Sequence, residues 1–98
     1  MTAKWTADDV RKMLTNPVYA GMGLYPPIVA EDLWLASNVV RIAKEGAEAV
    51  VESVLMQFRE TFPEVQIPDA TPYVQQAQGD PPNALRRLLT DLRNLVAT

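Results

Sequence analysis

The chain has 98 residues, 48% of them hydrophobic, a formal net charge of −3, and neither histidine nor cysteine. That length supports one small core with little margin. The missing residue types exclude disulfides, thiolate metal sites, cysteine nucleophiles and an imidazole general base or zinc ligand.

No apolar run approaches the roughly 18–20 residues that cross a bilayer, and Met1-Thr2-Ala3-Lys4-Trp5 lacks the apolar segment of a secretory signal. No membrane association and a cytoplasmic location are the expectations. Ser37, Ser53, carboxylates and lysines remain, but none stands in a catalytic motif with an adjacent base. The chain reads as a non-enzyme that needs no cofactor and no metal.

Charge is unevenly spread. Residues 1–30 carry Lys4, Arg11 and Lys12 against Asp8 and Asp9, whereas residues 31–64 carry three basic and seven acidic groups. Duplex binding draws most of its affinity from neutralised phosphates, so the acidic middle of the chain opposes it.

Thr6 is a good N-cap, with Asp9 placed for a capping box and Val10, Met13 and Leu14 forming one apolar stripe. Pro17 stops this first helix near Thr15 or Asn16. Residues 17–30 hold three prolines and two glycines, and read as extended pieces, Val18–Ala20 and Leu24–Tyr25, in a hairpin-like segment. A second helix begins at Glu31, with Leu33, Trp34, Ala36, Val39, Val40 and Ala43 as one broad apolar face. Asp32, Asn38, Arg41, Lys44 and Glu45 fall outside that face. Gly46 reads as a break. The third helix has the cleanest period, Ala47, Val50, Val51, Val54, Leu55, Phe58 and Phe62, closed by Pro63.

Residues 63–82 form a proline-punctuated connector anchored by Val65, Ile67 and Tyr73, with a single helical turn at Tyr73–Gln76 behind Thr71-Pro72. Asp80-Pro81 repeats that start signal for the last helix. The longest helices are expected at about 31–44, 47–61 and 82–96. The fold class is therefore all-α: one domain over 1–98, a small bundle of about four helices with an irregular or hairpin-like segment at 17–30.

The last helix carries Leu85, Leu88, Leu89, Leu92, Leu95 and Val96 in a narrow seam. One short neighbour does not cover so much apolar surface, so the seam is the expected interface of a homodimer, through Leu85, Leu88, Leu89, Leu92 and Leu95. Arg86, Arg87 and Arg93 read as its solvent-facing edge.

Trp5, Thr6, Val10-Arg11-Lys12-Met13-Leu14, Asn16-Pro17, Tyr19 and Gly21, followed by Pro27-Ile28-Val29-Ala30-Glu31-Asp32-Leu33-Trp34, form an ordered set. In this order and spacing, residues 5–44 resemble the C-terminal part of the DNA-binding recombinase domain of large serine recombinases. The segment between Gly21 and Pro27 is shorter than is usual in that family. The family's nucleophilic serine domain and zinc-ribbon cysteines have no counterpart here. The resemblance implies duplex DNA as a partner, Lys4, Arg11, Lys12 and Asn16 as its contacts, and Trp5, Leu14, Tyr19 and Trp34 as core. Residues 45–98 form a helical extension that the resemblance does not cover.

Two further groupings are open to two readings each. Trp5, Tyr19, Tyr25 and Trp34 serve either as core or as the lining of a ligand pocket. Glu45, Glu48 and Glu52 lie close on one helix, as a solvated acidic face or as ligands for a hard cation. The functional expectation is a non-catalytic protein-interaction module that self-associates. The alternative is a DNA-binding accessory protein derived from the recombinase domain.

Overall fold

The computed structural model describes residues 6–97. Its order is α1 (Ala7–Thr15), a 3₁₀ turn (Pro17–Ala20), α2 (Glu31–Glu45), α3 (Ala47–Thr61), α4 (Thr71–Gly79) and α5 (Pro81–Leu95). The all-α expectation holds, and the three longest helices fall within one residue of their expected bounds.

The start of α1 is the expected capping box. Thr6 Oγ1 accepts from the Asp9 N–H at 3.0 Å, and Asp9 Oδ2 accepts from the Thr6 N–H at 3.1 Å. The Thr6 backbone N–H first, and then the Thr6 hydroxyl, hold the Asp9 carboxyl below its ordinary range. At the other end Asn16 is extended, as the following proline requires. Its Oδ1 accepts from the Val18 N–H at 3.0 Å. That cap, with Pro17 preset at the first position, winds residues 17–20 into a 3₁₀ turn instead of the extended piece read from the sequence.

The rest of the 17–30 segment folds back on this turn. Met22 and Tyr25 exchange backbone hydrogen bonds of 3.0 and 2.9 Å, the only β-type pairing among the described residues. Tyr19 O accepts from both Ile28 N–H and Val29 N–H, at 2.7 and 2.8 Å. Gly21 has φ +98°, and a Cβ there would lie 3.2 Å from Pro27 Cβ, so only glycine lets the chain turn this closely. Gly46, at φ +94°, breaks the chain between α2 and α3 as expected.

Two elements differ from their sequence reading. Helix α4 has nine residues, not one turn. Asp69 Oδ1 accepts from both the Thr71 N–H and its hydroxyl, at 3.1 Å each, which starts the helix early. Tyr73 and Ala77, spaced i and i+4, then bury against α5. Helix α2 divides its apolar residues between two sides. Trp34 and Leu35 are buried, with Val39 and Ile42 packed on the core, while Leu33, Ala36, Val40 and Ala43 are exposed. Asn38 belongs inside: it is fully buried and donates to Trp34 O at 3.1 Å.

The core joins both halves of the chain. Trp34 sits in it with Val50, Val54 and Phe58 of α3, Tyr73 of α4, and Leu85, Leu88, Leu89 and Leu92 of α5. Trp34 Nε1 donates to Thr15 O at 3.0 Å, which satisfies the indole and pins the end of α1. The α5 seam therefore needs correction as a dimer interface. Leu85, Leu88, Leu89 and Leu92 have no exposed surface, because α2, α3 and α4 together cover them. Only Leu95, at 45% exposure, remains open.

Arg93 also departs from its reading as a solvent edge. Its Nε donates to Gly21 O at 2.9 Å and one terminal nitrogen to Ala20 O at 2.7 Å. The other meets Glu31 Oε1 at 2.6 Å. One fork thus ties α5 to the end of the 3₁₀ turn and to the first residue of α2. Replacing Arg93 by alanine should lower unfolding free energy by about 2–3 kcal/mol, since hydrogen bonds to a charged donor are lost around half-exposed groups. Arg93→Lys should recover less than half of it, because an ammonium cannot reach three acceptors held in fork geometry. Urea denaturation followed by circular dichroism measures both.

Candidate interaction surface

Of the residues that the resemblance assigns to DNA, Lys4 lies outside the described residues, and so does Trp5. Arg11 and Lys12 are exposed on α1. Asn16 is half-buried and uses its side-chain oxygen as a cap for the 3₁₀ turn. Arg11 and Lys12 open onto a cleft of about 700 Å³ between α1, the end of α2 and α3, which also presents Glu45 of α2 and Glu52 and Glu60 of α3. A phosphate drawn to the two cations would meet these carboxylates across the cleft.

The nearest arginine in the cleft wall is already committed. Arg41 pairs with Glu45 at 3.1 Å, donates to Ser53 Oγ of α3 at 3.3 Å, and to Asn38 Oδ1 at 3.4 Å. Its side chain is only 15% exposed, so α2 and α3 are held together here by a nearly buried cation. The hydrogen bond and charge of Arg41 lower the Glu45 carboxyl below its ordinary range, and the charge of Arg11 adds to the effect. Gln57 Oε1, in the same cleft, is buried with no hydrogen-bond partner. Met56 and Ala49 of α3 add apolar surface to this otherwise charged lining.

A second groove, about 530 Å³, runs between α1 and α2 and differs in chemistry. Val10 and Leu14 of α1 face Val40 and Ser37 of α2 across it, with Lys44 and Glu45 at one end. Val10 is 43% exposed and Val40 53%; Leu33, two turns before Val40 on the same side of α2, is 47% exposed. Large apolar side chains gathered at one place on a closed small domain mark a contact surface more often than single scattered ones do. The sequence reading missed this surface because it put Leu33, Ala36, Val40 and Ala43 on the same face as Trp34 and Val39.

The aromatic residues divide. Trp34 is core and Tyr19 packs partly buried against it. Tyr25 is half-exposed, its ring edge-on to Phe62 at 5.9 Å. No shared pocket joins the three. Glu45, Glu48 and Glu52 are exposed to solvent, and no group of three or more acidic side chains among the described residues could hold a metal ion. None of the described helices is long and apolar enough to cross a membrane.

The α4–α5 contact carries the remaining polar cluster. The Tyr73 hydroxyl donates to Asp91 Oδ2 at 2.6 Å, and the Arg87 guanidinium lies over its ring, 5.2 Å from the centroid. Arg87 also donates to Gln76 Oε1 at 3.2 Å. Arg86 is exposed and donates to Asn83. These groups satisfy one another within the fold.

Comparison of the chain with family models, with curated proteins and with solved structures gives no match.

Burial first, then the hydrogen bond to Asp91, push the Tyr73 phenol up to about 12. Its folded value lies above the unfolded one, near 10. The stability linked to this group is therefore full below pH 10 and is lost as pH rises from about 10 to about 12, because the unfolded chain ionises first. Ultraviolet titration should show one tyrosine ionising near the upper limit. In Tyr73→Phe that step disappears, and the alkaline loss of stability becomes shallower.

Proposed function

We propose that this chain is a non-catalytic interaction module that binds protein through the outward apolar strip of α2 and the neighbouring α1. The observation that carries this reading is the exposed grouping of Val10, Leu33 and Val40 beside a core that is already closed. An amphipathic partner helix is the natural occupant of such a surface, because it lays an i, i+3, i+4, i+7 stripe against apolar anchors. Self-association belongs to this reading and is moved from α5 to this surface. A cytoplasmic site of action, in keeping with a chain that has no cysteine, completes it.

A photo-cross-linking residue at position 40 tests the reading in living cells, with the same residue at the exposed Arg59 of α3 as control. Position 40 should give protein cross-links that position 59 does not. Equal capture at both positions, or none at position 40, would overturn it.

The second reading, duplex DNA binding through Lys4, Arg11, Lys12 and Asn16, is supported by the resemblance of residues 5–44 to the recombinase domain. Arg11 and Lys12 are exposed, but Glu45, Glu52 and Glu60 across the cleft work against an anionic ligand. Fluorescence anisotropy at low salt should accordingly register no duplex binding. Binding that falls steeply with salt, and is lost in a double variant carrying Arg11→Glu and Lys12→Glu, would place this reading first.

A further inference from the structure

The most exposed large apolar side chain among the described residues is Leu24, at 92%. It stands on the loop over 23–28, where Tyr25 and Ile28 are open as well and Gly23, Pro26 and Pro27 are exposed beside them. No charged residue lies between Lys12 and Glu31. The loop therefore offers apolar surface, one phenol and its own backbone. Its base is held firmly, by the mutual hydrogen bonds of Met22 and Tyr25, by Tyr19 O, and by Arg93 on Ala20 O and Gly21 O. A tip on such a base loses little freedom when it binds.

The backbone decides what can read this tip. The Tyr25 N–H is used by Met22 O, and those of Ile28 and Val29 by Tyr19 O. Pro26 and Pro27 have no N–H at all. From Tyr25 to Val29 the chain thus has no donor to offer, whereas Pro26 O and Pro27 O accept no hydrogen bond from the described backbone. Each proline also drives the residue before it into extended backbone, so Tyr25-Pro26-Pro27 runs in the polyproline manner. A partner strand cannot add to this stretch, because strand pairing needs N–H donors. An arginine cluster finds no anion here. What remains among the common modes of recognition is a groove walled by aromatic rings, which packs on proline rings and donates to their carbonyls.

We propose that the 23–28 loop docks into the aromatic-walled groove of a separate protein, one that reads polyproline segments. Pro26 and Pro27 lie against the rings, their carbonyls accept from donors in the groove, and Leu24 and Ile28 fill apolar hollows beside it. Pro27 rests on Gly21 with one side of its ring, since a Cβ at position 21 would come within 3.2 Å of it. The exposure of Pro27 leaves the other side to the partner. This inference goes beyond the proposed function, because no residue of the loop lines the α1–α2 groove.

The test titrates the isotope-labelled full chain with three purified proline-reading domains, a WW, an SH3 and an EVH1 domain. At least one should shift the amide signals of Leu24, Tyr25 and Ile28 while leaving those of Val10 and Val40 in place. Leu24→Ala and Pro26→Ala change exposed side chains, so helical content and melting temperature should hold in both. The dissociation constant should rise about tenfold in each, the loss of one anchoring contact. Silence from all three domains, binding undisturbed by Pro26→Ala, or shifts centred on Val10 and Val40 would each overturn the proposal. So would partition of the chain, through Leu24, onto vesicles of neutral phosphatidylcholine, which take an apolar tip without reading proline. Capture at position 40 in cells is decided separately, and either experiment can fail while the other succeeds.

Discussion

The fork of Arg93 fixes how the two halves of this chain meet. Its three contacts, to Ala20 O, Gly21 O and Glu31 Oε1, span more than sixty residues of sequence and converge where the 3₁₀ turn gives way to the loop and α2 begins. The turn needs a donor there, because its last carbonyls have no helical continuation. Helix α5 supplies one from a position that also leaves Leu92 pointing into the core. Once α5 is held against the inner side of α2, the seam from Leu85 to Leu92 is covered by α2, α3 and α4. The outer stripe of α2 is then apolar surface outside the core, bordered on one side by Val10 and Leu14 of α1. The candidate interaction surface is thus a consequence of where α5 docks.

Much of this architecture is legible in the sequence because it depends on local signals. Thr6 and Asp9, Asn16-Pro17, Gly46, Pro63 and Asp80-Pro81 mark helix limits through cap chemistry and backbone restriction, and the structure keeps each of them. What failed was the sorting of faces. The apolar residues of α2 run more than halfway round its circumference, so periodicity alone cannot say which arc meets the core. Asn38 and Arg41, read as outward, are turned inward by hydrogen bonds to Trp34 O and Ser53. The error over α5 has a separate cause. Reading α4 as one turn removed a neighbour that buries Tyr73 and Ala77 on α5, and the leucine seam then seemed to need a second protomer. The partners of Arg93 carry no sequence signal, since they are backbone carbonyls and a glutamate more than sixty positions away.

Electrostatics separates the two functional readings. The cleft between α1 and α3 sets two cations against three carboxylates, with Arg41 already engaged by Glu45, Ser53 and Asn38. Such a surface has little net field to draw a polyanion. The α1–α2 strip offers apolar area instead, through the exposed Val10, Leu33 and Val40. Arg11 borders both surfaces, whereas Lys12 lines only the cleft and Val10 and Val40 only the groove.

Within a single copy, the chain closes its core around α5 and leaves Leu33 and Val40 of α2 at the surface. Methyl relaxation by a soluble paramagnetic agent reads both facts in one measurement. The methyl groups of Leu33 and Val40 should relax strongly, and those of Leu88 and Leu92 should be protected. Strong relaxation at Leu88 or Leu92 would show that α5 is not the centre of the core.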